Sequence, residues 1–262
     1  MAFSFRPAVR ENVGLLIGLI SASGGGKTMS ALRIAKGICG DALPAVIDTE
    51  GGRAKHYADF FKFDHGDLTP PFTPARYLEA IQAADKAGYP VIIVDSMSHE
   101  HAGEGGLLDW HESELQRMAG DDWKRREACN MAAWIKPKMA HKEFVQRLLQ
   151  VRAHLILCFR AEPKVRMVKS ETGKILIEDA GFMPVCEKNL PFELTVSFLL
   201  HPDEPGMPTH PLKLQKQHRP MFLRHDGAGS MQPIDEKCGQ AIAAWAKGAK
   251  PEPKPDPVPD RI

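Results

Sequence analysis

Three short, unbroken apolar runs punctuate the first hundred positions: Gly14–Ile20 (GLLIGLI), Ala45–Ile47 leading into Asp48, and Val91–Val94 leading into Asp95. Runs of this length, without polar alternation, are what strands buried on both faces require. Between the first two lies a stretch with Met29, Leu32, Ile34 and Ala35 at helical spacing, ending near Gly37 or Gly40; Pro74 to Ala87 reads as a second helix. Strands alternating with helices at this rate predict right-handed βαβ crossovers and a parallel sheet.

Beyond Asp95 the pattern changes twice. From about 97 to 151 no strand-like run occurs, and the segment reads as a helical excursion. Phe144, Val145, Leu148 and Leu149 give its last helix one apolar face, and Pro137 belongs in that helix's first turn. His154 to Phe159 is a fourth core strand, after which Val165–Lys169 and Lys174–Ile177 flank Ser-Glu-Thr-Gly and predict a β-hairpin. Leu194–Leu200 and Pro211–Leu214 read as late, edge-side strands, and Ile234 to Ala246 as a closing helix. These elements make one α/β domain over residues 1–248. Residues 249–262 alternate proline with charge, cannot pack a core, and read as an extended solvated tail.

Charge and composition narrow the partners. With 34 Lys and Arg against 33 Asp and Glu the net charge is +1, so a polyanion site must be a local patch. The longest apolar stretch near the N-terminus, Val13 to Ile20, has eight residues, where a membrane span needs about 20. A cytoplasmic protein with no membrane partner is expected. The five cysteines, Cys39, Cys129, Cys158, Cys186 and Cys238, are widely spaced and form no C-x-x-C pair, which suggests neither a disulfide framework nor a zinc ribbon.

Ser21-Ala-Ser-Gly-Gly-Gly-Lys-Thr28, between a buried strand and a helix, carries the chemistry. Small residues there let backbone N–H groups converge on phosphate oxygens at the positive end of the helix. Ser23, Gly24, Gly25, Gly26, Lys27, Thr28 and Met29 are the candidate nucleotide-binding residues, Lys27 reaching the β- and γ-phosphates and the Thr28 hydroxyl ligating Mg²⁺. The motif's first glycine is replaced by Ser21, where the chain is expected to turn out of the strand. Asp95, at the carboxyl end of a buried strand, is the second candidate for Mg²⁺. Hydrolysis also needs a carboxylate to activate water. Many P-loop ATPases place a glutamate directly after the Mg²⁺-binding aspartate, but here Ser96 follows. Glu50, in Ile-Asp-Thr-Glu at the tip of the preceding strand, is the candidate base; Glu100, in Ser-His-Glu-His, is its rival. His99, His101 and His111 with neighbouring glutamates match no metal signature, since their spacing lacks one-face placement.

The phosphate loop followed by IDTEGG and then VIIVDS resembles the RecA-like ATPases. Trp134…Pro137…His141, HLILCFRAEPK, GFMP, FELTVSFLL and LKLQKQHRP extend the resemblance, over roughly residues 10–225, to phage-encoded RecA-like ATPases of single-strand annealing recombination. That resemblance implies a RecA-like P-loop NTPase fold: a mainly parallel central sheet flanked by helices, with a β-hairpin after the fourth strand. It further implies ATP and Mg²⁺ as cofactors, catalysis at Glu50 and Lys27, single-stranded DNA as partner, a homo-oligomer, a single-strand-binding protein nearby, and, if phage-encoded, a place in the bacterial host cytoplasm.

Two basic clusters bear on DNA. Between residues 160 and 174, Arg160, Lys164, Arg166, Lys169 and Lys174 stand against two acids; between 213 and 224, Lys213, Lys216, Arg219 and Arg224 stand against none. Phosphate-backbone binding requires such clusters, although each is equally a solvated face. By analogy with RecA-like folds, Lys164, Arg166, Lys169 and Lys174 on the hairpin are the DNA-binding candidates, and Lys216 and Arg219 those for contacting a neighbouring subunit's ATP. Arg160 is a γ-phosphate sensor or a surface residue. Two other functions fit the same motifs: a P-loop kinase of a small acceptor, with Arg160 and Arg166 as lid, and a nucleotide-gated partner-binding module with little hydrolysis.

Overall fold

The computed structural model describes residues 13–169, 175–223 and 230–248. Its sheet is built on β1 (Leu16–Ser21), β2 (Ala45–Asp48), β3 (Asp64–Asp67), β4 (Val91–Asp95), β5 (His154–Lys169), β6 (Ile175–Pro184), β7 (Val196–Leu200) and β8 (Pro208–Leu214). Lateral order is β3-β2-β4-β5-β1-β7-β8, with β6 paired to β5 off this path. All neighbours from β3 to β7 run parallel; β8 returns antiparallel on β7 and forms one edge. An α/β fold with a mainly parallel central sheet is thus observed.

Alternation along the strands splits the core into two layers. Ile17, Leu19, Ile93, Ile156 and Phe198 pack on one face against α1 (Lys27–Cys39) and α8 (Glu236–Ala246). Leu16, Ile20, Ile92, Leu155 and Phe159 pack on the other with Tyr77 and Ile81 of α2 (Pro74–Ala87) and Phe144 and Leu148 of α6 (Ile135–Leu148). Gly37 lies inside α1 rather than at its end. A Cβ there would come within 2.0 Å of the Glu236 carbonyl, so glycine permits the close crossing of α8, and Gly40 caps the helix.

The helical excursion resolves into α3 (Ser98–Ala102), α4 (Leu107–Ala119), α5 (Trp123–Ala133) and α6, with Pro137 in the first turn of the last. A short helix α7 (Leu190–Glu193) precedes β7. Among the described residues no helix is long and apolar enough to cross a membrane.

Three expectations need correction. The edge strand β3, Asp-His-Gly-Asp, was not foreseen, which makes the hairpin-bearing strand the fifth. That strand is also longer than the apolar run His154–Phe159. β5 continues through 16 residues, and with β6 it forms an arm paired from Ala161–Pro184 to Lys169–Ile175, with a bulge between Lys164 and Val165. The late strand begins at Val196 rather than Leu194, and it lies inside the sheet between β1 and β8. The hairpin tip with Lys174, the Arg224 position and the proline-rich tail lie outside the described residues.

Candidate functional site

The carboxyl ends of β1, β2, β4 and β5 open on one side of the sheet, where a parallel sheet places its ligands. A cavity of about 720 Å³ lies there, lined by Ser23, Gly24, Gly26, Lys27, Thr28, Glu50, Asp95 and Arg160, together with Arg53, His56, Tyr57 and His99. Its volume is in the range of small-molecule sites.

The candidate phosphate loop is shaped from Ser21 onward. β1 continues through Ser21, which pairs with Arg160, so the turn begins only at Ala22 and the missing first glycine is not needed there. Ser21 Oγ donates to the Ala22 carbonyl at 2.8 Å. Gly24 and Gly26 take φ of 86° and 82°, in the left-handed region that disfavours side chains. Gly26 precedes α1 with no side-chain cap, which leaves the first amides of the helix directed to the cavity end. Lys27 folds back, its Nζ donating to the carbonyls of Ser21 at 3.0 Å and Ala22 at 3.1 Å. Met29 is partly exposed, and neither it nor Gly25 lines the cavity.

Thr28 Oγ1 donates to Asp95 Oδ2 at 2.5 Å. Asp95 is buried, and burial pushes its carboxyl up to about 6; the nearby Glu50 and Asp48 charges push the same way, while the Thr28 hydrogen bond and Lys27 oppose them. A hydroxyl beside a buried carboxylate, with no Lys or Arg bonded to it among the described residues, is an oxygen donor pair that suits a hard divalent ion. The Asp95–Ser96 peptide is cis. Around it Thr49 is a hub: its hydroxyl accepts from the Ser96 N–H at 2.8 Å and lies 2.7 Å from His99 Nδ1, while its own N–H donates to the Asp95 carbonyl. His99 stacks on Phe72 with ring centroids 5.0 Å apart, and burial holds its imidazole below the usual range.

Glu50 is presented by a turn built on Asp48. That carboxylate accepts from the N–H of Glu50 at 2.6 Å and of Ala54 at 2.9 Å, and His65 of β3 lies 3.2 Å away. These partners hold the Asp48 carboxyl below its ordinary value against the opposing cost of burial. Both oxygens of Glu50 are engaged: Oε1 accepts from Arg160 Nε at 3.0 Å and Nη2 at 2.8 Å, and Oε2 from Arg53 Nη1 at 3.1 Å. Two residues singled out separately in the sequence are thus bonded to each other. Arg53, His56, Tyr57 and the Thr49–His99 pair were missed, although Arg53 follows IDTEGG directly and could have been found from that.

Other candidates lie elsewhere. Glu100 is fully buried and does not line the cavity. Its Oε1 lies 2.8 Å from His141 Nδ1, whose far nitrogen faces Glu187 at 3.7 Å, so the rival to Glu50 is locked in a core cluster. Lys216 and Arg219 are exposed on a 3-10 turn, Lys216–Met221, away from this chain's cavity. On the arm, Lys164 is exposed and pairs with Glu162 at 3.3 Å. Register places Arg166 opposite Glu178, Val165 opposite Asp179 and Lys169 opposite Ile175. Over residues 160–184, five basic residues therefore stand with four acids, a weaker excess than residues 160–174 alone indicate.

No protein-family model matches the chain, and no curated protein does. Among solved structures the chain is similar to the crystal structure of the RadB recombinase, at 17% identity over 74% of this chain and 76% of that one, with a TM-score of 0.37.

Proposed function

We propose that the protein is a Mg²⁺-dependent ATPase of the RecA-like P-loop type that acts on single-stranded DNA in homologous recombination or annealing. The observation that supports this most is the convergence of Lys27 and Thr28 at the start of α1, Glu50 just past β2, Asp95 at the end of β4 and Arg160 within β5 on one cavity. Lys27 exchanges the Ser21 and Ala22 carbonyls for phosphate oxygens, and the loop amides and helix end add fixed positive dipoles. Thr28 and Asp95 would hold Mg²⁺, which when bound neutralises phosphate charge. Glu50 takes a proton from water as that oxygen attacks the γ-phosphorus in line, and the bond from phosphorus to the β,γ-bridging oxygen breaks.

In this reading the β5–β6 arm, with Lys164, Arg166, Lys169 and Lys174, contacts the single strand. Lys216 and Arg219 reach a neighbouring subunit in a homo-oligomer, and a single-strand-binding protein works alongside. The fully engaged Glu50 carboxylate favours a second reading, a nucleotide-gated module with little hydrolysis. Turnover measured with and without single-stranded DNA at low salt separates the two. In the same assay Lys27→Ala is expected to lower triphosphate affinity at least about tenfold and abolish turnover. Unchanged affinity and turnover would overturn the proposal.

A further inference from the structure

Glu50 sits where a water-activating carboxylate belongs, yet neither of its oxygens is free. Arg160 holds Oε1 through two nitrogens and Arg53 holds Oε2 through one. Three of the roughly four lone-pair sites of this carboxylate are taken by guanidinium N–H groups, and Oε1, held twice, has none left to accept a proton from an attacking water.

The two guanidinium groups are not held alike. Arg53 comes from the same turn as Glu50, three residues on, and its side chain is 66% exposed. Arg160 comes from another strand, 110 residues away in sequence. Its backbone is pinned on both sides: its N–H donates to Ser98 Oγ at 2.9 Å, and its carbonyl accepts from the Val185 N–H at 2.8 Å. Its side chain is 49% exposed and borders the cavity that also holds Lys27 and Asp95. The attachment point is fixed while the guanidinium can swing, and a half-exposed ion pair is weak enough to be exchanged. When Arg160 leaves, the Glu50 backbone is still held by the Asp48 carboxylate at 2.6 Å, and its Oε2 by Arg53 at 3.1 Å.

We infer that Arg160 is a positioning residue that keeps Glu50 in reserve, and that the γ-phosphate of a nucleoside triphosphate draws the guanidinium away and frees Oε1 of the carboxylate. This rests on the P-loop reading above and deepens it. A terminal phosphate offers a guanidinium two parallel hydrogen bonds and more charge than one carboxylate. A diphosphate ends one phosphate short and has no γ-phosphate to reach the end of the cavity where Arg160 stands, so Arg160 stays on Glu50 and the base stays engaged. The enzyme then exposes its base only when there is a bond to cleave.

The test is equilibrium binding of a non-hydrolysable triphosphate analogue and of the diphosphate, both with Mg²⁺, to the full chain and its variants. Glu50→Gln removes the charge that Arg160 must leave. It is expected to tighten the triphosphate analogue about two- to fivefold, the size of competition with a half-exposed ion pair, and to leave the diphosphate unchanged. The gain should vanish when Arg160→Gln is added. A gain that persists without Arg160, or one shared by the diphosphate, would reduce the effect to general charge repulsion and overturn the inference, as would no gain at all. Both substitutions are near-isosteric and lie at the cavity rim; a thermal melt checks that each variant is folded. The Lys27→Ala control separates the two levels. If it binds triphosphate as the unmodified chain does, the P-loop reading itself falls and takes this inference with it. If it loses binding while the Glu50→Gln gain is absent, only the role of Arg160 falls.

Discussion

Thr28 Oγ1 and Asp95 Oδ2, 67 residues apart in sequence, lie 2.5 Å from each other and join the first turn of α1 to the tip of β4. The contact satisfies one oxygen of a carboxylate that the fold has taken out of water. Burial pushes its carboxyl up from 3.8 to about 6, so between those values the native state binds a proton that the unfolded chain has released. Stability contributed by this group is present below 3.8 and is lost as the pH rises through 6.

Asp95→Asn is therefore expected to stabilise the ligand-free protein at neutral pH while abolishing Mg²⁺-dependent turnover. The gain is up to about 3 kcal/mol, and it should shrink toward zero near pH 4. Urea unfolding at pH 7.5 and pH 4.5 checks it. Equal effects at both values would show that the carboxylate carries no such burden.

His154 gives the opposite pH dependence. Its Nδ1 accepts the Leu15 N–H at 3.1 Å, and burial lowers its pKa from 6.5 to about 4. The native state holds this ring neutral, so its contribution is complete above pH 6.5 and is lost as the pH falls toward 4, by up to about 3 kcal/mol. In His154→Asn, whose side-chain oxygen can accept the same bond, the acid limb of the stability profile should flatten. A profile that superimposes on the original would remove His154 as its cause.

The buried Glu100–His141 pair separates structural from catalytic carboxylates. His141→Ala leaves the Glu100 carboxyl in the core without its partner and should cost about 3–5 kcal/mol. Glu100→Gln, assayed well below its melting temperature, should keep turnover within about threefold, whereas Glu50→Gln should lose at least about a hundredfold. A large loss on Glu100→Gln in a folded protein would return the base assignment to Glu100.

Single-strand binding by the arm has an ionic-strength signature. Alanine at Lys164, Arg166, Lys169 and Lys174 together should make the slope of log affinity against log salt shallower by about 3, the value for four phosphate contacts on a single strand, while nucleotide affinity stays unchanged. An unchanged slope would move the DNA contact off the arm.

The parts of this molecule legible from its sequence are those that burial writes into it. Leu16–Ile20, Val91–Val94 and Leu155–Phe159 are apolar because both of their faces are covered, and the glycine-rich loop is legible because close backbone approach demands small residues. Strand β3 left no such trace: Asp-His-Gly-Asp is held by backbone pairing to β2 and by the contact of His65 with Asp48, and neither needs an apolar side chain. The length of the arm was hidden for the same reason. Its acids, Glu178 and Asp179, arrive on the returning strand, so a charge count that stopped at Lys174 overstated its basicity. Glu100 resembles a catalytic residue in sequence and is a core residue in space, because its partner His141 lies 41 positions on. The Glu50–Arg160 contact spans 110 positions and could be seen only once β2 and β5 were placed in the same sheet.

β5 has no break between its two halves. Arg160 makes its last parallel pair, with Ser21, and Ala161 makes its first antiparallel pair, with Pro184. The arm and the wall of the cavity are therefore one continuous strand, and its change of partners falls at the residue whose guanidinium rests on Glu50.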